Sequence, residues 1–307
     1  MATARTSGIP KDSIATVFAL ARDIKLAHSV FAMPFAVLAV FLARDRAESW
    51  GSLAGKLALV VLCMVSARTW AMLVNRLADR SFDAANPRTA GRALPSGRAS
   101  PGAARAAAGG AGAAFVALAV AFGPLFQNWL PALLALPALG WIALYSFTKR
   151  FTVLCHLFLG GALAASPVAA AIAVRPHALG DMPALWLIAG MVLCWVAGFD
   201  IIYALQDINA DRSLGLHSIP ARLGPRRAAY LSRGLHGVSV ALLIGACMIE
   251  PRLGSWFASG VGLAAGLLVA EPVVLARQGL RGLSMAFFTL NGVVSCVLCA
   301  TGVVDLL

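Results

Sequence analysis

Apolar residues dominate this chain in long runs that short polar stretches separate. Nine of the runs are about 20 residues long, the length that an α-helix needs to cross the hydrocarbon core of a bilayer. The pattern predicts an all-α, polytopic membrane protein, a bundle of nine transmembrane helices that forms one domain over residues 1–307. The predicted helices cover about 14–43, 52–79, 101–122, 129–147, 152–174, 183–205, 227–249, 256–276 and 283–304.

The composition supports a membrane protein over a soluble domain. Mean hydropathy is +0.82, and only 12% of the 307 residues are charged. A net charge of +12 would suit a nucleic-acid-binding protein. The basic residues, however, lie in short connections between apolar runs, where the positive-inside rule operates. We therefore expect the lipid bilayer as a partner and no nucleic acid. The six cysteines lie inside apolar runs and predict no disulfide framework.

The same charges predict an orientation. Connections after the second, fourth, sixth and eighth predicted helices carry 14 basic residues, whereas the alternate connections carry 4, or 5 with Lys56. By the positive-inside rule, the first set faces the cytoplasm. The sequence thus predicts a protein of the cytoplasmic (inner) membrane, with its N-terminus inside.

The most polar stretch of the chain, Asn75–Gly97, is called here the first acidic segment. Asn75, Asp79 and Asp83 recur at every fourth residue, so a helix would place them on one face. Amide and carboxylate oxygens are the ligands that Mg²⁺ takes, usually together with phosphate oxygens. Arg88 and Arg92 follow in a loop, and arginine can grip phosphate with two parallel hydrogen bonds. This combination predicts a site for a metal diphosphate.

The second acidic segment, Asp200–Gly224, repeats the pattern. Asp207 and Asp211 are four residues apart, Asp200 and Tyr203 extend the stripe upstream, and Arg212 directly follows an aspartate. Both segments come at the ends of predicted helices, the second and the sixth, which an even number of crossings separates. The two ends must share a membrane face, so we expect the segments to meet around one ligand.

Other polar residues fall near this face or in the spans. Lys149 and Arg150 end the fourth predicted helix, and Tyr145 lies one turn before them. Arg68 lies two turns deeper than Asn75, and a charge inside a span is costly, so we expect it to face a cavity or a partner. Two readings stay open for the polar residues near the start of the first helix, interface anchors or part of the site: Arg22, Asp23, Lys25 and His28. His156 and His236 show no ligand spacing.

Two other classes of protein use similar residues. A cation-coupled transporter also places acids and bases within the membrane, but here the acids fall at the ends of spans, and interrupted transporter-type helices are not evident. A CDP-alcohol transferase pairs aspartates with metal, but its Asp-Gly-x-x-Ala-Arg signature is absent from this sequence.

The two segments carry a family resemblance over essentially the whole chain. Asn75-Arg-x-x-Asp79-Arg-x-x-Asp83, followed by Asn86-Pro-Arg-Thr-x-x-Arg92-x-Leu-Pro-Ser-Gly, resembles the first signature of the UbiA-type intramembrane aromatic prenyltransferases. Asp200-x-x-Tyr203-x-x-Gln-Asp207-x-x-x-Asp211-Arg resembles their second signature, and Tyr145-x-x-x-Lys149-Arg150 a third.

The resemblance implies a helical bundle around a central cavity that transfers a polyprenyl group from polyprenyl diphosphate to the ring of a hydroxyaryl carboxylate acceptor, with Mg²⁺ as cofactor, in ubiquinone or menaquinone biosynthesis. It implies metal ligation by Asn75, Asp79, Asp83, Asp207 and Asp211. It implies catalytic roles for Asp79, Asp83, Asp200, Tyr203, Asp207 and Asp211. It implies substrate contacts from Arg68, Arg88, Arg92, Tyr145, Lys149, Arg150 and Arg212.

The resemblance leaves two acceptors open. Tyr203-Ala-x-Gln-Asp resembles the core of the 4-hydroxybenzoate polyprenyltransferases. Gly91-Arg92-x-Leu and His217-Ser-Ile-Pro depart from that group and look like the branch proposed to prenylate a 1,4-dihydroxy-6-naphthoate-type acceptor for menaquinone. Both acceptors are hydroxyaryl carboxylates, so the reaction class is the same.

Overall fold

The chain is built from α-helices, and the predicted fold class is confirmed. A computed structural model describes residues 11–24, 26–278 and 285–307, and these ranges contain helices and connections but no strand. The α-helices are α1 Lys11–Ile24, α2 Met33–Ala43, α3 Trp50–Ala78, α4 Arg80–Ala85, α5 Pro101–Phe126, α6 Leu130–Thr148, α7 Cys155–Val174, α8 Ala178–Asp181, α9 Pro183–Tyr203, α10 Ile208–Ser213, α11 Ile219–Leu223, α12 Pro225–Ile249, α13 Ser255–Gln278 and α14 Asn291–Leu306.

Eight helices in the described ranges are long and apolar enough to cross a membrane. They are α3, α5, α6, α7, α9 with its continuation to Ser213, α12, α13, and α14 with the turn of π-helix before it. Large apolar side chains such as Leu133, Leu136 and Val269 are exposed on their outer surfaces. Such a surface suits lipid rather than water, so the chain is an integral membrane protein.

The predicted first helix is not continuous. α1 ends at Ile24, a 3₁₀-helix spans Leu26–Phe31, and α2 begins only at Met33. Pro34 lies in the first turn of α2, where its missing N–H costs nothing, but the same ring would break a longer helix that ran through it. If the bent stretch ending in α2 is counted as one span, the total is the predicted nine. The predicted start of the last helix at Leu283 lies outside the described residues.

The two functional helices also end earlier than predicted. α3 stops at Ala78 rather than Asp79, and the separate α4 follows. α9 stops at Tyr203, where a 3₁₀-helix over Ala204–Asp207 and then α10 replace the predicted run to Leu205. Each acidic segment therefore starts on a membrane helix and continues into short helices at the same end of the bundle.

α9 is the central helix of the core. Its fully buried Trp195 has the rings of Phe31, Phe35 and Phe199 around it at centroid distances of 5.1–6.4 Å. Trp195 Nε1 donates a hydrogen bond of 2.7 Å to Oδ1 of the buried Asn291 in α14, so the indole is satisfied inside the bundle. This packing fixes the position of α9 in the bundle. It therefore also fixes where the second acidic segment, which begins in the last turn of α9, lies relative to the other helix ends.

Candidate active site

A cavity of about 610 Å³ opens where α3, α6 and α9 end, and both acidic segments line it. It also receives residues from α1, α4, α7 and α10. Twelve of the fourteen residues predicted for the site line this cavity: Asn75, Asp79, Asp83, Arg88, Arg92, Tyr145, Lys149, Arg150, Asp200, Tyr203, Asp207 and Asp211. The predicted meeting of the two segments is therefore found in the structure.

One ion pair joins the two segments directly. Arg88 donates from Nε to Asp207 Oδ1 at 2.9 Å and from Nη2 to Asp207 Oδ2 at 2.7 Å, the two-bond geometry that suits a carboxylate. Asn86 Nδ2 adds a third donor to Asp207 Oδ1 at 3.0 Å. Partial burial alone would lower the pKa of Arg88, but the bonds to Asp207 outweigh it and the pKa is raised.

The other buried carboxylates have basic partners too. Arg92 Nη1 lies 2.7 Å from both oxygens of Asp83. Lys149 Nζ lies 2.6 Å from Asp211 Oδ1, and the Ser218 hydroxyl donates to Asp211 Oδ2 at 2.6 Å. Burial lowers the pKa of Lys149, and the negative charge of Asp211 more than restores it, so the net shift is upward. These contacts hold both carboxylates at the cavity wall.

Asp79 is held less firmly than its three counterparts. Asn75 Nδ2 donates to its Oδ2 at 2.9 Å, while Arg150 Nη2 is 3.3 Å from Oδ1 and closer, at 2.6 Å, to the Ala78 carbonyl. Burial and the nearby Asp83 charge raise the pKa of Asp79 despite Arg150. A second positive charge near Asp79 would relieve the repulsion between the Asp79 and Asp83 carboxylates.

The predicted i, i+4 stripe persists across the break after α3. The Asp79 N–H donates to the Asn75 carbonyl at 2.9 Å, and the Asp83 N–H donates to the Asp79 carbonyl at 2.7 Å. The three side chains thus keep helical spacing although two helices carry them. Asn75 Oδ1 accepts a hydrogen bond of 2.8 Å from Arg76 Nη1. The oxygen of this predicted metal ligand is therefore hydrogen-bonded to the guanidinium group of Arg76.

Two predicted residues are absent from the described cavity lining. Arg212 lies on the exposed side of α10, and its Nε donates to the Ala221 carbonyl at 2.9 Å. Its position supports the fold of the second segment. Arg68 lies deeper in α3 and is half-buried. The substrate contact that the family resemblance implies for Arg68 stays a prediction.

Three cavity residues with acidic or basic side chains were not assigned to the site from the sequence. His156 is buried, and its Nδ1 lies 2.6 Å from Asp200 Oδ2. The Ile219 N–H donates to His156 Nε2 at 3.4 Å, so Nδ1 carries the proton and donates to Asp200. Asp23, for which two readings stayed open, lines the cavity and accepts from the Ala93 N–H at 2.5 Å. Arg76 is the third.

The spacing of these residues explains the omissions. His156 and Asp200 lie 44 positions apart, so no local pattern relates them. Asp23 similarly reaches across 70 positions to Ala93. A helix-by-helix topology predicts which ends share a face, but it does not predict which side chains on neighbouring helices touch.

The donor set suits a hard divalent cation whose ligands are shared with a phosphate. Carboxylates of both segments face one cavity, yet in the part of the chain that is described no three His, Cys, Asp or Glu side chains converge closely enough to hold a metal alone. Mg²⁺ usually takes only one or two protein carboxylates and completes its shell with phosphate oxygens and water. The residues present therefore fit Mg²⁺ bound together with a phosphorylated ligand.

Sequence comparisons place the chain among known proteins. The UbiA prenyltransferase family matches residues 32–293. The 4-hydroxybenzoate octaprenyltransferase of Alcanivorax borkumensis is 33% identical over 223 residues, 71% of this chain and 72% of the relative. That of Cronobacter sakazakii is 30% identical over 250 residues, 79% of this chain and 82% of the relative.

Solved structures share the fold. A UbiA homologue from Aeropyrum pernix K1, solved in its apo form, superposes with a TM-score of 0.80 at 32% identity over 92% of this chain and 99% of the other. A UbiA homologue from Archaeoglobus fulgidus, bound to GPP and Mg²⁺, superposes with a TM-score of 0.67 at 18% identity over 94% and 99% of the two chains.

The first prediction concerns the pair that joins the segments. Replacing Arg88 by Ala and Asp207 by Ala should change the free energy of unfolding non-additively, with a coupling of about 1 kcal/mol, because the two side chains contact each other directly. The figure is modest since Arg88 is one-third exposed and water screens the pair. Thermal unfolding of the purified protein in detergent measures the coupling.

Arg212→Ala combined with Asp207→Ala is the matched control, since Arg212 bonds to the Ala221 carbonyl instead. These two changes should add within about 0.5 kcal/mol. Additivity in both pairs would show that Arg88 and Asp207 do not hold the segments together.

Proposed function

The chain belongs to the UbiA prenyltransferase family, and on that premise we propose that it transfers a polyprenyl group from polyprenyl diphosphate to the ring of 4-hydroxybenzoate in ubiquinone biosynthesis. The single observation that carries the proposal is a cavity at the ends of the membrane helices in which each of four aspartates is paired with a basic side chain. Such a site offers both the carboxylates that hold a metal and the cations that hold a diphosphate.

The diphosphate would be bound by the basic members of these pairs. Arg88 and Arg92 present planar guanidinium groups, which match phosphate oxygens with two hydrogen bonds. Lys149 and Arg150 directly follow the end of α6 and line the same cavity. The polyprenyl tail, which is apolar, would lie between the membrane helices.

The four aspartates Asp79, Asp83, Asp207 and Asp211, with Asn75, are the proposed ligands of Mg²⁺. When bound, Mg²⁺ supplies positive charge that stabilises the departing diphosphate. The A. fulgidus homologue is bound to GPP and Mg²⁺, which supports the choice of ion. With the carboxylates holding the metal, their basic partners would be free to hold the phosphates, so neither set of charges would be left alone.

The acceptor would lie on the Asp200 side of the cavity. Asp200 and Tyr203 belong to the last turn of α9, and Asp200 keeps about a quarter of its side chain exposed while His156 holds one of its oxygens. The other oxygen is placed to accept a hydrogen bond from the hydroxyl of the acceptor, which keeps its proton. This makes the ring more electron-rich at the carbon that reacts.

The reaction then balances within the cavity. The allylic carbon–oxygen bond breaks and diphosphate leaves with the electron pair, a ring carbon forms the new carbon–carbon bond, and the ring loses one proton to a base. Asp200, oriented by the Nδ1–H of His156, is the proposed base.

The choice of 4-hydroxybenzoate over a dihydroxynaphthoate rests on the relatives. Two relatives at 33% and 30% identity are 4-hydroxybenzoate octaprenyltransferases. The His217-Ser-Ile-Pro departure lies at the start of α11, whereas Gly91 and Arg92 of the other departure line the cavity. The His217 N–H donates to the Lys149 carbonyl at 2.7 Å, which fixes the loop rather than a substrate.

The proposed orientation places the cavity on the cytoplasmic side of the inner membrane. It rests on the 14 basic residues in the connections of that face, against 4 on the other. Water-soluble acceptors made in the cytoplasm would then reach the cavity without crossing the bilayer.

The second prediction tests the shared metal site. Asp79→Asn and Asp207→Asn should each lower turnover by about 100-fold or more, since each removes charge that would hold the metal at the leaving group. The double variant should be little worse than either single one, because groups that act as a unit are non-additive. Product formation from radiolabelled polyprenyl diphosphate in isolated membranes measures turnover.

Chelation supplies the control for this prediction. An excess of EDTA should abolish product formation by the unmodified protein, and Mg²⁺ should restore it. Turnover that persists in EDTA, or near-normal activity of either single variant, would contradict a metal site built from both segments.

The third prediction concerns the acceptor. With equal concentrations of 4-hydroxybenzoate and 1,4-dihydroxy-6-naphthoate, kcat/KM should favour 4-hydroxybenzoate by about tenfold or more, a ratio within reach of one pocket that contacts a ring of different size. Membranes carrying Asp207→Asn serve as the blank. A preference for the naphthoate would assign the chain to menaquinone biosynthesis with the same chemistry.

The fourth prediction concerns orientation. In a cysteine-free background, cysteines introduced as Ser96→Cys and Ser213→Cys, both at exposed positions, should resist a membrane-impermeant thiol reagent in intact cells. The exposed Ala47, changed to cysteine in the opposite connection, should be labelled. The reverse labelling pattern would invert the orientation.

A further inference from the structure

A second cavity, of about 230 Å³, lies between α9, α12 and α13. Apolar residues form most of its wall, among them Ile202, Leu205, Pro272 and Leu275. It is separate from the active cavity, because Tyr203 and Ala204 of the same α9 end line the active cavity instead. The three helices are membrane spans, so a ligand would reach it through the bundle or from the lipid.

Two ionisable side chains face each other in this cavity. Glu271 of α13 is 2% exposed and His236 of α12 is 5% exposed. His236 Nδ1 lies 3.7 Å from Glu271 Oε2, which is too long for a hydrogen bond. Both carboxyl oxygens of Glu271, and Nε2 of His236, have no hydrogen-bond partner among the described residues.

Neighbouring buried polar groups in these helices are satisfied, which sets this pair apart. The hydroxyl of Ser232, also in the cavity wall, donates to the Gly198 carbonyl at 2.8 Å, and that of Ser239 donates to the Leu235 carbonyl at 2.9 Å. A buried polar group that loses its partner costs about 1–3 kcal/mol, and more if charged. A carboxyl inside a membrane span is by default a functional group rather than a packing group.

The chemistry of the wall restricts the ligand. A metal ion would find too few oxygen donors, since no three metal-binding side chains cluster within the described ranges, and Arg233 in the wall would repel it. An anion would lie against the oxygens of the Glu271 carboxyl, which are hydrogen-bond acceptors, and it would therefore bind poorly. The free acceptors on Glu271 require a ligand that donates a hydrogen bond, and the apolar wall requires one that is otherwise uncharged.

Arg233 favours an aromatic ligand over an aliphatic alcohol. Guanidinium groups stack on aromatic faces, and the exposed Arg233 at the rim of the cavity lies 5.5 Å from the ring centroid of Tyr230, which is outside the cavity wall. A phenolic hydroxyl is also a stronger hydrogen-bond donor than an aliphatic one. We propose that this cavity is a binding site for a neutral hydroxylated aromatic ring, a phenol or hydroquinone, with its hydroxyl on Glu271 and His236.

The test uses methylhydroquinone as the probe and the full-length protein in lipid nanodiscs. Saturation-transfer NMR should detect binding of methylhydroquinone, whereas its dimethyl ether, which lacks the donors, should bind at least about tenfold more weakly. Glu271→Gln should weaken binding by a similar factor. Leu275→Trp, which places a larger side chain in the cavity one helical turn from Glu271, should abolish it.

Two controls separate this site from the active cavity. Asp207→Asn should leave binding of the probe unchanged, and 4-hydroxybenzoate, whose carboxylate would lose its hydration against the apolar wall, should not displace it. Glu250→Gln, at the far end of α12 where Arg252 pairs with Glu250 at 2.8 Å, is the matched glutamate control and should bind the probe normally.

The proposal is overturned if methylhydroquinone does not bind, if its ether binds equally well, or if Leu275→Trp leaves binding intact. It is also overturned if 4-hydroxybenzoate displaces the probe, because the ring would then lie in the active cavity. None of these readouts depends on turnover, so the result stands apart from the proposed transferase reaction.

Discussion

The two-bond contact between Arg88 and Asp207 is the interaction on which the candidate site depends. It connects residues 119 positions apart and closes the first acidic segment against the second. The Asn86 bond to the same carboxylate reinforces this closure of two polar segments at the end of an apolar bundle. The contact is possible only because α3 and α9 end on one face, and the buried packing of Trp195 fixes the height at which α9 ends.

Much of this arrangement follows from sequence periodicity because the membrane leaves few alternatives. Backbone polar groups must be satisfied within helices in lipid, so apolar runs of span length predict helices, and their parity predicts which ends share a face. The spacing of Asn75, Asp79 and Asp83 then predicts one stripe, and the backbone bonds between them preserve it even where α3 gives way to α4.

The features that the sequence did not predict correctly have specific physical causes. The break before α2 follows from Pro34, whose local effect an otherwise continuous apolar run obscures. The His156–Asp200 contact depends on how α7 packs against α9, and a lone histidine in an apolar run carries no mark of that packing. Arg212 matches the family motif, yet its guanidinium turns to the Ala221 carbonyl, a choice made by the fold of α10 and α11.

The pairing of charges also explains how a cavity with four carboxylates can exist at a membrane interface. An isolated buried charge is costly, and a paired one is tolerated when its hydrogen bonds are complete. Asp83, Asp207 and Asp211 each have such a partner, while Asp79 shares Arg150 with a carbonyl and has its pKa raised by burial and by Asp83. The set is close to neutral as it stands. A metal diphosphate brings charges of both signs and can exchange partners with these pairs without leaving either sign buried alone. A free diphosphate, which is purely anionic, would take the basic partners and strand the four carboxylates. The same electrostatics that stabilises these pairs therefore favours the metal complex of the donor over the donor by itself.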